Sequence, residues 1–266
     1  MLMSRIFSAF IMLSIFLSCL FLFSGKFFAS IVYIASLLAL YEWSNLLNFK
    51  RHEKINFLVV SLILMYLIGN YLEDKEANFL LIVATIFWLC VAPLFLIFKL
   101  SVQNRVISFV MGWILIMPLS VALNFLYKIS PWIVLLVLSV IWLADSGAYF
   151  FGKQFGRIKL APSISPGKTW EGFVGAIIIV TLFSLVMTYC GFVRLYPSIL
   201  FFNLILIFSV EGDLFESYIK RIAKVKDSSD LIPGHGGVLD RIDSLCSSLP
   251  LATIILMTPS FFGKIL

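Results

Sequence analysis

Residues 107–127 read ISFVMGWILIMPLSVALNFLY, a run of twenty-one residues without a charged side chain. A helix of that length spans the roughly 30 Å hydrocarbon core of a bilayer. Similar apolar runs recur along the chain, which is 61% hydrophobic and only 13% charged, whereas a typical soluble domain is about a quarter charged. No segment has the apolar/polar alternation of a membrane β-barrel. The sequence therefore predicts an all-α polytopic membrane protein.

The apolar runs predict nine transmembrane helices within one integral-membrane domain, residues 1–266. Their approximate positions are 6–23, 27–41, 56–72, 78–98, 107–127, 132–151, 172–190, 197–212 and 248–263. With the N-terminus inside, the inside segments hold fifteen Lys and Arg residues and the outside segments hold five. Because positive charge accumulates on the cytoplasmic side, we predict an N-in, C-out arrangement in the cell inner membrane.

The net charge of +6 does not indicate a nucleic-acid partner. Most of the basic residues lie in short loops between apolar runs. There they are better explained as determinants of membrane topology and as partners for phosphate. We therefore expect the bilayer and phosphate-bearing substrates as partners, and no nucleic acid.

The functional signal lies in residues 213–243, which hold six of the fourteen acids, five of the twenty bases and one of the two histidines. The first half has polar residues at offsets that place them on one helix face: Asp213, Ser217, Lys220, Arg221 and Lys224. An interfacial helix that binds anionic lipid headgroups would explain the cations. It would not explain Asp213, because a carboxylate next to an apolar run is costly unless it is paired or binds a metal.

The second half of the segment combines glycines with carboxylates. Glycines at 234, 236 and 237 allow backbone N–H groups to approach a phosphate closely. Asp240 and Asp243 are three residues apart, so on a helix both can face one site. Carboxylate and phosphate oxygens are ligands that Mg²⁺ prefers. We predict a metal-and-cation clamp for a polyphosphate, with Lys220, Arg221, Lys226 and Arg241 as its cations.

A second loop, within residues 145–172, supports the catalytic segment 213–247. Gly167-Lys168-Thr169 is not a Walker A motif, because Pro162 stands where that motif needs glycine. Lys168 is a candidate phosphate ligand, and its alternative role is that of a topology determinant. Asp145, near the end of the sixth span, is a functional candidate by its depth. Its structural alternative is an ion pair with Lys153 or Arg157.

The residues of the catalytic segment resemble the motif of the phosphatidate cytidylyltransferases, also called CDP-diacylglycerol synthases. The matching run is Ser217-x-Ile219-Lys220-Arg221, then Lys226-Asp227-x-Ser229, then Ile232-Pro233-x-His235-Gly236-Gly237-Val238-x-Asp240-Arg241-Ile242-Asp243. Residues 144–150 and 165–172 resemble the family's other cytoplasmic stretch, with Ser146 where threonine is expected. Tyr41-Glu42-Trp43 also resembles the family.

The resemblance implies transfer of the cytidylyl group of CTP to phosphatidate with Mg²⁺, in an all-helical and commonly dimeric membrane enzyme. It places the metal at Asp213 and Asp240 and allows a monovalent cation beside it. The catalytic assignment is Asp213, Asp240, Lys226 and Arg241, and the metal-binding assignment is Asp213, Asp240 and Asp243. The substrate-binding assignment is Ser217, Lys220, Arg221, His235, Gly236, Gly237, Lys168 and Asp145.

Two other functions would also explain a chain of this composition. A CDP-alcohol phosphotransferase would use membrane helices, carboxylates and Mg²⁺, but its Asp-x-x-Asp-Gly-x-x-Ala-Arg pattern is absent from the sequence. A transporter or lipid-binding membrane protein would account for the spans and the basic loops. It would leave the concentrated acids, bases and glycines of residues 213–243 unexplained.

Overall fold

The computed structural model describes residues 2–71, 74–102, 104–232, 234 and 236–258. Within these ranges the fold is built of helices with one small hairpin. The helices are α1 Leu2–Phe21, α2 Gly25–Leu46, α3 Arg51–Tyr71, α4 Asp74–Ile86, α5 Ala92–Phe98, α6 Arg105–Ile129, α7 Pro131–Phe155, α8 Trp170–Tyr189, α9 Leu195–Ile222 and α10 Leu239–Met257. A π-helical turn, Phe87–Val91, joins α4 to α5.

Seven helices of the described residues are long and apolar enough to cross a membrane. They are α2, α3, the joined α4–α5 segment Lys75–Phe98, and α6 to α9. This confirms the predicted all-α polytopic membrane class. The first and last predicted spans correspond to α1 and α10, which are not among the seven, so the total of nine stays a prediction. Part of the last predicted span, residues 259–263, lies outside the described residues.

Helices α2, α6, α9 and α10 form the interior of the bundle. Their packing depends on a close approach of α9 to α10 at Gly212. A Cβ atom at Gly212 would lie 2.3 Å from Ser247 Oγ and 2.5 Å from the Asp243 carbonyl oxygen. Ser247 in turn donates a hydrogen bond to the Phe208 carbonyl across the same contact. The small residue at 212 therefore brings the start of α10 against the polar part of α9.

The connections predicted to share one side of the membrane meet at one end of the bundle. Arg105, at the start of α6, donates to the Leu47 carbonyl after α2. Tyr218 of α9 donates to the Leu100 carbonyl in the α5–α6 connection. At the opposite end, Tyr127 of α6 donates to the carbonyl of residue 23 before α2. The helices thus alternate in direction, as the predicted topology requires.

The sixth connection contains a hairpin that the sequence analysis did not predict. Strand β1, Lys159–Ala161, pairs antiparallel with strand β2, Ser165–Thr169. Thr169 then caps α8, since its side chain accepts a hydrogen bond from the Gly172 N–H. The hairpin fixes the backbone on either side of Lys168, the lysine singled out from sequence.

The helix face predicted from the offsets of Asp213, Ser217, Lys220, Arg221 and Lys224 (the polar stripe) lies on a continuation of the eighth span. Helix α9 runs without a break to Ile222, well past the apolar run. The predicted polar stripe ends one turn earlier than expected, because Lys224 has a φ of 58° and lies beyond the helix. The other four members of the stripe lie on α9.

Candidate active site

Asp213, Ser217 and Lys168 form the first part of the site. Asp213 Oδ2 lies 2.7 Å from Lys168 Nζ, and Ser217, one turn further along α9, donates to Asp213 Oδ1 at 3.2 Å. Lys168 Nζ also donates to the Val210 carbonyl at 3.4 Å. The carboxylate on a membrane helix is therefore paired, which is the condition under which such a charge is tolerated there.

Asp240, in the first turn of α10, is the centre of the second part. Its Oδ2 accepts from the Gly237 N–H at 2.7 Å, and from the Ser228 N–H and Oγ, each at 2.9 Å. Its Oδ1 accepts from Lys220 Nζ at 2.6 Å. Burial alone would raise the pKa of Asp240, but the Lys220 and Gly237 hydrogen bonds outweigh it and hold the pKa at about 2. Asp240 is a fixed negative charge at neutral pH.

The loop that contains Gly236 and Gly237 packs against the Asp240 carboxylate and donates a hydrogen bond to it. Gly236 has a φ of 82°, a conformation that favours glycine, and a Cβ there would lie 2.6 Å from Asp240 Oδ2. The Gly237 N–H donates to the Asp240 carboxylate, and the predicted approach of these glycines to a phosphate stays a prediction. Pro233 and His235 lie outside the described residues, so the predicted role of His235 stays a prediction.

Lys220 lies between two carboxylates. Besides Asp240, it forms an ion pair with Glu216 one turn earlier on α9, and its side chain is only 12% exposed. Sequence reasoning assigned Lys220 to substrate and did not assign Glu216 at all. The four-residue spacing of Glu216 and Lys220 was the available signal, since such pairs adjoin on a helix. Lys220 ties α9 to the start of α10.

Asp243 lies where the two parts meet. The charges of Asp213, Asp145 and Lys220 act on its carboxyl group. Burial raises the pKa of Asp243 most, and the negative charge of Asp213 raises it further. The two parts together contain five acidic side chains and three basic ones. The carboxylates are Asp145, Asp213, Glu216, Asp240 and Asp243, and the cations are Lys168, Lys220 and Arg241.

This donor set fits a divalent cation. Glu216 Oε1 has no hydrogen-bond partner within the described part of the chain, and Asp243 keeps acceptor capacity beyond its one bond from the Ser244 N–H. No group of three or more His, Cys, Asp and Glu residues in the described ranges is arranged so that it could hold a metal ion by itself. Mg²⁺ does not require such a group, because it is commonly held by one or two carboxylates with water and substrate phosphates.

A cavity of about 450 Å³ opens beside Asp213, between α7, α8 and α9. Asp145, Lys168 and Asp213 line its polar side, and apolar groups such as Phe173 and Val210 line the rest. Asp145 has Asp213, Lys168 and Arg241 as its charged neighbours. Among the ion pairs of the described residues, none joins it to Lys153 or Arg157, the alternative considered from sequence. The structure thus brings Asp145, Lys168 and Asp213 together at one cavity.

The remaining predicted cations lie around this centre. Arg221 is directed to the hairpin loop, where its Nε donates to the Ile164 carbonyl at 3.2 Å. Lys226 and Arg241 are exposed. Arg241 is the nearer of these two to the carboxylates, since its charge acts on Asp145.

Glu42, at the end of α2, is the residue that sequence reasoning undervalued. It is fully buried, yet it accepts hydrogen bonds from the Ser228 and Ser229 hydroxyls and from the Val238 and Leu239 N–H groups. Its only sequence signal was an acid in a short family-like patch. These hydrogen bonds join residues nearly two hundred positions apart, so a local sequence pattern could not predict them.

Fold and site together define a polytopic membrane protein with a cluster of paired carboxylates and cations at one end. A sequence model described as the cytidylyltransferase family matches residues 3–258. The chain belongs to this family.

Individual relatives agree with this assignment. The chain is 35% identical to a phosphatidate cytidylyltransferase of Haemophilus influenzae over 278 aligned residues, covering 94% of this chain and 96% of the relative. A phosphatidate cytidylyltransferase of Pseudomonas aeruginosa is 35% identical over 265 residues, 96% of this chain and 97% of the relative. One from Staphylococcus aureus is 48% identical over 120 residues, 44% of this chain and 46% of the relative.

Proposed function

We propose that this chain is a phosphatidate cytidylyltransferase, which converts CTP and phosphatidate into CDP-diacylglycerol and pyrophosphate for phospholipid biosynthesis. The observation that carries the proposal is the junction of the Asp213–Lys168 pair with the Asp240–Lys220 pair in a member of the cytidylyltransferase family. Paired charges at the end of a membrane bundle suit a reaction between a lipid phosphate and a water-soluble nucleotide.

The chemistry is an in-line displacement at phosphorus. A phosphate oxygen of phosphatidate forms a bond to the α-phosphorus of CTP, and the bond from that phosphorus to the bridging oxygen of pyrophosphate breaks. Phosphatidate is anionic at neutral pH, so no strong general base is needed. The protein contributes mainly positioning and charge neutralisation, as in other phosphoryl transfers. Lys168 lines the cavity beside Asp213, and the Arg241 charge acts on Asp145 in the cavity wall, so both would neutralise phosphate bound there. Arg221 and Lys226 would meet the leaving pyrophosphate.

Mg²⁺ is the metal that we propose for this site. Asp213 and Asp243 would hold it, since they are close enough for the Asp213 charge to act on Asp243. Asp240 would contribute through Oδ1, the oxygen with fewer protein donors. When bound, the ion would supply neutralisation of the phosphate oxygens. A monovalent cation beside it and a homodimeric assembly rest on the family resemblance alone.

The cavity beside Asp213 is the proposed place for the phosphatidate phosphate. Its apolar wall, with Phe173 and Val210, suits the start of the lipid chains, and its polar wall suits the phosphate. Helices α7, α8 and α9 and the hairpin line the cavity, and the proposed route for the lipid is from the bilayer between these helices. CTP would then approach from the aqueous end.

The proposed topology has nine spans, with the N-terminus inside and the active site facing the cytoplasm from the inner membrane. The charge bias of the connections supports this orientation. The meeting of the four predicted inside connections at the Asp213–Asp240 end agrees with it. CTP is available on that side.

The direct test uses the purified protein in detergent micelles with phosphatidate, CTP and Mg²⁺. We expect stoichiometric release of pyrophosphate that requires both substrates. A CDP-alcohol phosphotransferase would instead release CMP from CDP-diacylglycerol and an alcohol, and a transporter would release neither product. Absence of pyrophosphate from folded protein would contradict the proposal.

A further inference from the structure

We infer that Glu42 is a positioning residue for the transfer reaction, which holds the loop and the helix start that carry Asp240. The inference rests on the proposed function for its catalytic readout. The dependence of the Asp240 position on the Glu42 carboxylate does not require that the reaction be the proposed one.

The contacts of Glu42 are arranged in two matching pairs. Oε1 accepts from Ser229 Oγ at 2.6 Å and from the Val238 N–H at 2.9 Å. Oε2 accepts from Ser228 Oγ at 3.0 Å and from the Leu239 N–H at 2.7 Å. A single carboxylate therefore satisfies free N–H groups at the start of α10 and both serine hydroxyls of the preceding loop. Helix starts need such acceptors, and a negative charge is favourable there.

Ser228 connects Glu42 to the Asp240 carboxylate. Ser228 Oγ lies 3.0 Å from Glu42 Oε2 and 2.9 Å from Asp240 Oδ2. A hydroxyl has one hydrogen, so at any moment it donates to one of the two acids. Asp240 also accepts from the Ser228 N–H, which fixes the serine backbone against it. Displacement of Ser228 would therefore displace a donor of Asp240.

The site requires a carboxylate in particular. Each Glu42 oxygen faces one backbone N–H, so a glutamine in either orientation would place its NH₂ group against the N–H of Val238 or Leu239. An aspartate is one methylene too short to reach all four donors. A buried, fully hydrogen-bonded charge is costly to assemble, and a mere helix cap needs only a hydroxyl or amide oxygen. The four-fold use of the charge ties α2 to the Asp240 loop.

The loop packs tightly against the Glu42 carboxylate at Gly237. A Cβ atom at Gly237 would lie 2.5 Å from Glu42 Oε1 and 2.0 Å from Ser228 Oγ. The backbone at 237, which donates to Asp240, is thus packed directly against the Glu42–Ser228 contact. A shift of the Glu42 carboxylate would therefore move the Gly237 backbone, whose N–H donates to Asp240.

The test compares Glu42→Gln, Glu42→Asp and Ser228→Ala with a matched control, Glu53→Gln. Glu53 is a glutamate at the same end of the bundle whose partners are the Lys50 N–H and Arg105. We expect Glu42→Gln to lower kcat per folded protein by at least about tenfold, with KM for CTP changed less than about threefold. Ser228→Ala should lower kcat in the same direction, and Glu53→Gln should leave it unchanged. Glu42→Asp should show the Glu42→Gln defect and no rescue.

Amide hydrogen exchange supplies a readout independent of activity. In Glu42→Gln, exchange across residues 228–240 should rise at least about tenfold, while helix α6 keeps its protection. A wild-type kcat in folded Glu42→Gln, or unchanged exchange in that segment, would overturn the inference. If Glu42→Gln does not fold, Ser228→Ala decides, and a wild-type kcat there overturns it. If the wild-type enzyme releases no pyrophosphate, the proposed function fails, and exchange alone decides the role of Glu42.

Discussion

Asp240 shows how one carboxylate can organise a site before any substrate binds. Four hydrogen bonds from a lysine, a serine and two backbone N–H groups hold it in place. Charge-assisted hydrogen bonds of this kind are stronger than neutral ones. Such preorganisation is valuable in phosphoryl-type transfer, because the protein contributes position and charge rather than covalent chemistry.

Replacement of Asp240 by asparagine should abolish turnover and leave the protein inserted in the membrane. If the amide oxygen takes the Gly237 and Ser228 donors, the NH₂ group faces the Lys220 ammonium and repels it. We expect a loss in kcat of at least about 100-fold, comparable to removal of a charge-stabilising group in other enzymes. Steady-state pyrophosphate release measures it.

Asp230→Asn is the matched control for that substitution. Asp230 is exposed on the same loop, so its neutralisation changes the net charge equally without touching the carboxylate cluster. Substantial residual activity in Asp240→Asn, close to that of the Asp230→Asn control, would show that the assignment of Asp240 is wrong.

At the scale of the elements, the contact of α9 with α10 sets the distance between the two parts of the site. Gly212 lies one residue before Asp213, and its hydrogen faces Ser247 and the Asp243 backbone. Any side chain at this position must push the two helices apart. The carboxylates of Asp213 and Asp243 would then separate.

Gly212→Ala should therefore lower both the melting temperature and kcat. Overpacking of a close contact typically costs about 1–3 kcal/mol. Gly69→Ala, in helix α3, is the control, because a Cβ there meets only the end of the Tyr33 side chain, at 3.1 Å. Thermal unfolding in detergent and pyrophosphate release are the measurements. Wild-type values for both quantities in Gly212→Ala would contradict this view of the helix contact.

Much of the element structure was predictable, since apolar runs and charge spacing report on helices directly. The polar stripe on α9 and the helical spacing of Asp240 and Asp243 came from that pattern. The hairpin around Lys168 did not, because both strands are short and the second contains proline and glycine, so neither shows a readable alternation. The role of Glu42 could not be predicted either, because its partners are distant in sequence. Long-range contacts of buried polar groups require the structure.

The whole molecule carries its reactive groups at one end of the bundle, so its orientation decides which substrates it can meet. Labelling of single cysteines tests the predicted orientation. With the four native cysteines replaced by alanine, Lys75→Cys and Asp230→Cys place thiols in connections predicted outside and inside, respectively. A membrane-impermeant maleimide added to spheroplasts should label the thiol at 75 only, and both after permeabilisation. Labelling of the thiol at 230 in intact spheroplasts would contradict the predicted orientation.

The central claim is that this bundle joins CTP to phosphatidate at the Asp213–Asp240 cluster. The most direct measurement follows the label of CTP carrying ³²P at the α-phosphate, incubated with purified protein, phosphatidate and Mg²⁺. We predict that the label appears in the organic-soluble lipid as CDP-diacylglycerol, and that it does so in neither Asp213→Asn nor Asp240→Asn. Label that stays in the aqueous phase with folded wild-type protein, or that reaches lipid equally in both variants, would contradict the claim.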